Sequence, residues 1–249
     1  MQKARSIKVL LVEDVEMSRW LILQSFRSWP EIIPDEAANG KEAVEKVQQN
    51  EYDIIFMDMR MPMMNGYEAA GIIRNLPEEK YKQIPIIALT GDSTDHFYTK
   101  TEAAFFTDIL TKPFEFNDLK RKILQYVPTP GHRQTPDVAK PVKAESLFKG
   151  NKKREEIFYR EAIENLQTYK NIFKDAIAHR DAEKLSDMKH KAIIVMHVLA
   201  LNDLQATLEK CQRYLEEKAP HNVLEQAFAE GETSFDQALT TLQERLKKR

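Results

Sequence analysis

Short apolar segments alternate with amphipathic segments through the first half of the chain, and this alternation is what most restricts the possible folds. The apolar segments have the length and β-branched content of strands, whereas the intervening segments place apolar residues at helical spacing. In chain order the apolar segments read "IKVLLV", "EIIPDEAA", "YDIIFM", "IPIIALT" and "FTDILT", and the helical patterns cover Met17–Ser28, Lys41–Gln49, Tyr67–Asn75, Ser93–Glu102 and Glu115–Tyr126. This order predicts an α/β fold, a (βα)5 doubly wound parallel sheet with helices on both faces.

The composition changes between Tyr126 and Glu145, where the sequence reads "YVPTPGHRQTPDVAKPVKAE". Four prolines, one glycine and no apolar period are typical of an extended, semi-rigid linker. We therefore predict an α/β domain at residues 1–127, a Pro-rich linker at 128–144 and a second domain at 145–249.

Polar side chains follow the predicted strands at the point where each strand ends. Glu13 and Asp14 follow the first strand, Asp58 the third, Thr90 ends the fourth, and Lys112 follows the fifth. In open parallel sheets, functional groups gather at the carboxyl ends of the strands. Each residue taken alone has an ordinary interpretation, such as a helix cap or a surface lysine, but together they predict one site.

This cluster of acids needs a compensating cation. Two carboxylates about 4 Å apart repel each other by roughly 4 kcal/mol at an effective dielectric constant of about 20. Lys112 offsets part of this repulsion, and Mg²⁺ suits the remainder because it takes one or two carboxylates and also binds phosphoryl oxygens. A carboxylate beside Mg²⁺, a lysine and a hydroxyl is typical of a phosphoryl acceptor, with Asp58 as the nucleophile.

Residues 6–127 resemble the receiver domain of two-component response regulators, which has a flavodoxin-like fold. The resemblance rests on four motifs: "VED" with Glu13 and Asp14, "FMDMRMP" with Gly66 eight positions after Asp58, "IIALTG" with Thr90, and "LTKPF" with Lys112 and Pro113.

The resemblance implies a role for each matched residue. Asp58 is expected to be the phosphoacceptor, and Asp14, Asp58 and the backbone carbonyl of Arg60 to hold Mg²⁺. Glu13 is expected to reach the metal through water. Thr90 is expected to bind the phosphoryl group.

Lys112 is expected to pair with the same phosphoryl group. Receivers often carry an aromatic switch residue three positions before this lysine, whereas this chain has Ile109 there. The resemblance therefore implies that phosphorylation of Asp58 is retained, whereas signal relay through Thr90 and an aromatic residue is not implied. The implied partners are a sensor histidine kinase and other phosphorelay proteins.

The second domain shows helical patterns almost throughout, at Lys152–Ala178, Asp181–Ala200, Asp203–Lys218 and from His221 onward, with a possible break near Gly231. Four such segments predict a four-helix bundle. From Glu145 to Arg249 the chain has 18 basic and 18 acidic residues, which gives no electrostatic support for nucleic-acid binding.

The second of these helices places a histidine opposite its apolar stripe. His190 is expected to face solvent or a partner, with Ile193, Ile194 and His197 on the same side. An exposed imidazole in an apolar patch can accept or donate a phosphoryl group. An ordinary solvent-facing histidine beside isoleucines in a helix contact is the alternative. The predicted core stripe comprises Leu185, Met188, Ala192, Val195, Met196 and Leu199.

The same segment resembles a histidine phosphotransfer domain. The matching positions are Asp181 nine residues before the histidine, then Leu185, Met188, His190, Leu199, Ala200 and Leu204. Such domains usually read His-x-Leu-Lys-Gly, whereas this chain reads "HKAII", with Ile193 and Ile194 in place of Lys and Gly. Two hypotheses follow: a relay through His190, with His197 as a weaker candidate, or a phosphotransfer-incompetent adaptor that binds a partner.

Several other classes of function are disfavoured. No ATP-binding motif is visible, so we do not expect the chain to phosphorylate itself from ATP. The context of Lys112 and Pro113, and the lack of a second catalytic acid after Asp58, argue against a metal-dependent phosphohydrolase. A net charge of −2, a single cysteine and no long apolar segment predict a cytoplasmic protein without a membrane segment or a nucleic-acid partner.

Overall fold

The computed structural model describes residues 6–91, 104–128, 148 and 150–247. The predicted helix at Ser93–Glu102 and the predicted linker, apart from Pro128, lie outside the described residues. The chain divides into two compact units, Met1–Val142 and Lys143–Arg249. Within the described ranges, every helix is too short or too polar to cross a membrane.

The first unit contains a parallel five-stranded sheet in the order β2-β1-β3-β4-β5. Its elements are β1 (Ile7–Val12), α1 (Glu16–Arg27), β2 (Ile32–Ala37), α2 (Gly40–Gln49), β3 (Ile54–Asp58), α3 (Gly66–Arg74), α4 (Glu79–Gln83), β4 (Ile86–Thr90), β5 (Asp108–Thr111) and α5 (Phe116–Tyr126). The predicted flavodoxin-like (βα)5 fold is confirmed.

Helices cover both faces of this sheet. On one face, Phe26 of α1 packs on Phe56 of β3, with the ring centroids 5.6 Å apart. On the other face, Ile55 and Met57 of β3 pack in one cluster with residues of α2 and α3, including Ile73. Because both faces are covered, β3 and β4 are buried along their whole length, which explains their continuous apolar sequences.

One short helix, α4, was not expected from the sequence, because five residues are too few to show a helical period. Tyr81 buries its ring there, and its carbonyl accepts a hydrogen bond from Nη1 of Arg74 at 2.7 Å. The guanidinium of Arg74 also donates to the carbonyls of Ile84 at 2.8 Å and Phe105 at 2.9 Å. Arg74 therefore ties the end of α3 to the segments that precede β4 and β5.

The second unit is a four-helix bundle in its described part, which confirms the predicted all-helical region. Its helices are α6 (Lys152–Ala178), α7 (Ala182–Val198), α8 (Asn202–Glu216) and α9 (His221–Lys247). Each helix packs against two others, α6 and α8 both contacting α7 and α9. Ion pairs Lys170–Asp236 at 2.6 Å and Lys174–Glu232 at 2.7 Å show that α6 and α9 are antiparallel.

The predicted break near Gly231 is wrong, because α9 continues through this residue to Lys247. A Cβ atom at Gly231 would lie 2.4 Å from Cζ of the buried ring of Phe173. The same ring packs against Phe228 and Phe235, with both centroid distances 5.6 Å. The glycine therefore allows α9 to lie close to α6, a packing reason that the sequence does not distinguish from a helix break.

Candidate functional site

The carboxyl edge of the sheet brings the predicted site residues together. Glu13 and Asp14 follow β1, Asp58 ends β3, Thr90 ends β4, and Lys112 follows β5. These four strands are consecutive neighbours in the sheet, so their ends meet at one edge. The backbone N–H of Lys112 donates to the carbonyl of Thr90 at 2.6 Å, which continues the pairing of β4 and β5 into the site.

Lys112 is the cationic centre of the site. Its Nζ donates to Oε2 of Glu13 and to Oδ2 of Asp58, both at 2.8 Å, and all three side chains are buried. Burial alone would lower the pKa of Lys112, but the charges of Glu13 and Asp58 outweigh it and raise that pKa above its ordinary value. The ammonium group therefore remains charged although water does not reach it.

Three carboxyl groups lie close together at this site, and two of them contact Lys112. Glu13, Asp14 and Asp58 each place one oxygen so that the three oxygens lie within 4.8 Å of one another. Burial, and then the charge of Asp58, raise the pKa of Glu13 to about 8, which Lys112 only partly opposes. Oxygen ligands in this number and spacing fit a hard divalent cation such as Mg²⁺.

The raised pKa of Glu13 predicts a pH dependence of stability. In the unfolded chain this carboxyl titrates near its ordinary pKa of 4.5, whereas in the folded protein it keeps its proton until about pH 8. Its contribution to the free energy of unfolding is therefore complete below pH 4.5 and is lost as the pH rises towards 8. We expect the metal-free protein to become less stable across this window.

Urea unfolding of the wild type and of Glu13→Gln at several pH values tests this expectation. The variant cannot titrate at this position, so its stability should vary less with pH than that of the wild type. Glu16→Gln, which changes an exposed acid in the first turn of α1, is the matched control. An identical pH dependence of the wild type and Glu13→Gln would contradict the assignment.

Two residues hold the backbone of the site: Arg19, which sequence reasoning missed, and Gly66, which the sequence motif included without a structural role. The guanidinium of Arg19 in α1 donates through Nη1 to the carbonyls of Glu13 at 2.7 Å and Asp14 at 3.3 Å. A Cβ atom at Gly66 would lie 2.3 Å from the carbonyl oxygen of Asp58, so only glycine lets α3 begin this close to the site. The only sequence feature that could have indicated the role of Arg19 is its position in the first helical turn after Glu13 and Asp14.

The loop between β3 and α3 is fixed by its own hydrogen bonds. The N–H of Met64 donates to the carbonyl of Pro62 at 2.8 Å, which closes a γ-turn around Met63 with φ of 67°. Asn65 and Glu68 then form a capping box at the start of α3. At the other end of the loop, the N–H of Arg60 donates to Oδ1 of Asp58 at 3.3 Å.

Ile109, in β5, lies in a small apolar cluster beside the site. It is buried against Met59 and Ala88, and Tyr67 and Phe106 pack on the same cluster. The rings of Tyr67 and Phe106 meet edge to face, with centroids 5.8 Å apart and an interplanar angle of 89°. The aromatic groups near this position therefore come from α3 and from the segment before β5.

The helix α7 of the second unit carries the other predicted site residue, His190. The predicted core stripe is confirmed, since all six of its members are buried. His190 and His197 are half-buried, and so is Ile193. The prediction that Ile194 contributes to an exposed apolar patch is wrong, because its side chain is 2% exposed and belongs to the core.

The family model of the response regulator receiver domain matches residues 9–124. Hybrid signal transduction histidine kinase G of Dictyostelium discoideum is 36% identical over 125 residues, which are 50% of this chain and 4% of that protein. Signal transduction histidine-protein kinase BarA of Escherichia coli is 37% identical over 93 residues, 37% of this chain and 10% of that protein. The chain thus spans a small part of the kinases it matches.

Two solved structures are also similar to the first half of the chain. Chemotaxis response regulator CheY4 of Vibrio cholerae is 29% identical, with a TM-score of 0.45 and coverage of 49% of this chain and 99% of that one. The receiver domain of the Pseudomonas aeruginosa sensor histidine kinase PA1611, solved with a magnesium ion in its active site cleft, is 32% identical. Its TM-score is 0.45, with coverage of 49% and 97% of the two chains. Residues 9–124 therefore form a response regulator receiver domain.

Proposed function

We propose that the receiver domain accepts a phosphoryl group on Asp58 from a phosphohistidine of a sensor histidine kinase, in a reaction that depends on Mg²⁺. One observation carries this proposal: Asp58 is buried at the end of β3, 2.8 Å from the ammonium group of Lys112 and grouped with two further carboxylates. Burying a charged carboxylate in such a cluster costs free energy of folding. A role as the nucleophile in phosphoryl transfer explains why the acid is placed there.

The transfer requires only the phosphohistidine donor and the carboxylate of Asp58 as reactants. An oxygen of the Asp58 carboxylate forms a bond to phosphorus, the phosphorus–nitrogen bond of the donor breaks, and its electron pair returns to the imidazole. Lys112 offsets negative charge on the phosphoryl oxygens, and the hydroxyl of Thr90 donates to one of them. These roles require only side chains that lie at this edge of the sheet.

Glu13, Asp14, Asp58 and the backbone carbonyl of Arg60 are the proposed holders of Mg²⁺, with Glu13 acting through water. When bound, the ion supplies positive charge for the acidic cluster and for the phosphoryl oxygens. The PA1611 receiver domain, solved with magnesium in its active site cleft, supports this choice of ion.

For the second unit we propose a relay role, in which His190 exchanges the phosphoryl group with a receiver aspartate. The burial of Ile194 supports this role, because a side chain in the core does not crowd the approach to His190. Ile193 is half-buried and occupies the position where phosphotransfer domains carry lysine. The absence of that lysine favours the adaptor function instead, so one experiment should test both functions.

The chemical stability of the label separates these two functions. Phosphohistidine survives alkali and is lost in acid, whereas the acyl phosphate of an aspartate is lost in alkali. We expect a phosphorylated kinase to produce an alkali-stable label on the full chain, which His190→Gln removes. His197→Gln and His179→Gln should retain it, His179 being exposed at the end of α6.

Two results would exclude the relay role. One is an alkali-stable label that persists in His190→Gln. The other is a wild-type chain that carries only alkali-labile label, which would favour the adaptor and leave phosphorylation of Asp58 intact.

A further inference from the structure

A cleft lies in the bundle between the end of α6 and the beginning of α9. Its volume is about 350 Å³, within the range of roughly 300–1,000 Å³ that is usual for small-molecule sites. Ile177, Leu224 and Phe228 form its apolar lining, and the first two are buried. A cavity of about 150 Å³ suffices to hold benzene, so this cleft has room for an aromatic ring and a short chain.

The mouth of the cleft is predominantly basic. Lys174, His179, Arg180 and His221 line it, and among the described residues Glu225 is the one acid in the lining. Lys174 pairs with Glu232 at 2.7 Å, and His221 with Glu225 at 3.2 Å.

His179 pairs with Asp175 at 3.3 Å, so three of the four basic side chains at the mouth face a carboxylate. Arg180 differs from them. Its Nη1 donates to the carbonyl of Ala219 at 3.3 Å, and no ion pair of Arg180 occurs within the described part of the chain. A guanidinium group has five N–H donors, so most of its hydrogen-bonding capacity remains available at the mouth.

We propose that this cleft binds a small amphipathic carboxylate, with its apolar body against Ile177, Leu224 and Phe228 and its carboxylate on Arg180. The planar guanidinium matches a carboxylate in two parallel hydrogen bonds. Glu225 in the lining disfavours a doubly charged phosphate more than a singly charged carboxylate. This site is separate from the phosphoryl chemistry proposed above and does not depend on it.

Calorimetric titration of the full chain with 3-phenylpropanoate tests the proposal, with uncharged 3-phenylpropanamide as the matched ligand. We expect the carboxylate to bind with a Kd below about 1 mM, and the amide roughly 10-fold more weakly. Arg180→Asn should weaken binding of the carboxylate by a similar factor. Asparagine suits this position because it tolerates the left-handed backbone there, where φ is 51°.

Ala178→Trp is a second, independent variant. Ala178 is an exposed residue of the lining, so a large side chain there should fill the cleft and abolish binding. Arg154→Asn, an equal change of charge about 40 Å away near the other end of α6, should leave binding unchanged. Failure of 3-phenylpropanoate to bind the wild type, or equal binding to the wild type and Ala178→Trp, would overturn the proposal. Equal loss of affinity in Arg154→Asn and Arg180→Asn would overturn it as well.

Discussion

Replacing Asp58 by asparagine is expected to abolish uptake of a phosphoryl group by the receiver domain. The amide cannot act as the nucleophile, so the rate should fall on the order of 10³-fold or more, to the limit of detection. The measurement is intact mass after incubation with a small acyl phosphate and Mg²⁺. The wild type should gain one phosphoryl group, and Asp58→Asn none.

Asp53→Asn is the matched control, because Asp53 directly precedes β3, whereas Asp58 ends that strand. Asparagine can still accept the hydrogen bond that Oδ2 of Asp53 receives from the N–H of Lys8 at 2.8 Å. This variant should therefore take up phosphoryl groups at the wild-type rate. Uptake that is unchanged in Asp58→Asn would show that another group is the acceptor.

Replacing Lys112 by methionine is expected to give the largest loss of stability. Its Nζ is buried between the carboxyl groups of Glu13 and Asp58, both 2.8 Å away, and methionine removes the ammonium group that compensates the buried charge of Asp58. Removing one partner of a buried ion pair costs about 3–5 kcal/mol, and we expect a loss in that range at neutral pH. Uptake of the phosphoryl group should slow by roughly 10²-fold, since one charged donor is lost.

Urea unfolding with and without Mg²⁺ measures this effect, and Mg²⁺ should restore part of the lost stability. Lys120→Met removes a lysine whose 3.4 Å ion pair with Glu31 is partly exposed, so it should cost at most about 1 kcal/mol. The double variant Lys112→Met/Asp58→Asn should be more stable than Lys112→Met alone. Equal losses in the free energy of unfolding for Lys112→Met and Lys120→Met would show that Lys112 does not stabilise the buried carboxyl groups as described.

The receiver half was predictable because its signals are local and repeated. Strand ends in a parallel sheet meet at one edge, so Glu13, Asp58 and Lys112 could be brought together from strand positions alone. The role of Arg19, and the reason why position 66 requires glycine, were not predictable in this way. Both depend on contacts with backbone carbonyls, which leave no periodic pattern in the sequence.

In the bundle, the helical wheel predicted most but not all of the buried residues of α7. The stripe from Leu185 to Leu199 was placed correctly, but Ile194 was assigned to the surface although it is buried. A wheel assumes one buried face, whereas α7 packs against both α6 and α8 and therefore buries a wider arc. Gly231 was misjudged for a related reason, because only the position of Phe173 explains a glycine inside an unbroken helix.

The most direct test of the central claim is a crystal structure of the full chain grown with Mg²⁺ and beryllofluoride, a mimic of the phosphoryl group. The account predicts one Mg²⁺ ion about 2.1 Å from oxygens of Asp14 and Asp58, with beryllium bonded to the carboxylate of Asp58. It also predicts that Nζ of Lys112 contacts a fluorine atom of the mimic. An ion bound elsewhere, or beryllofluoride on any other side chain, would contradict the account.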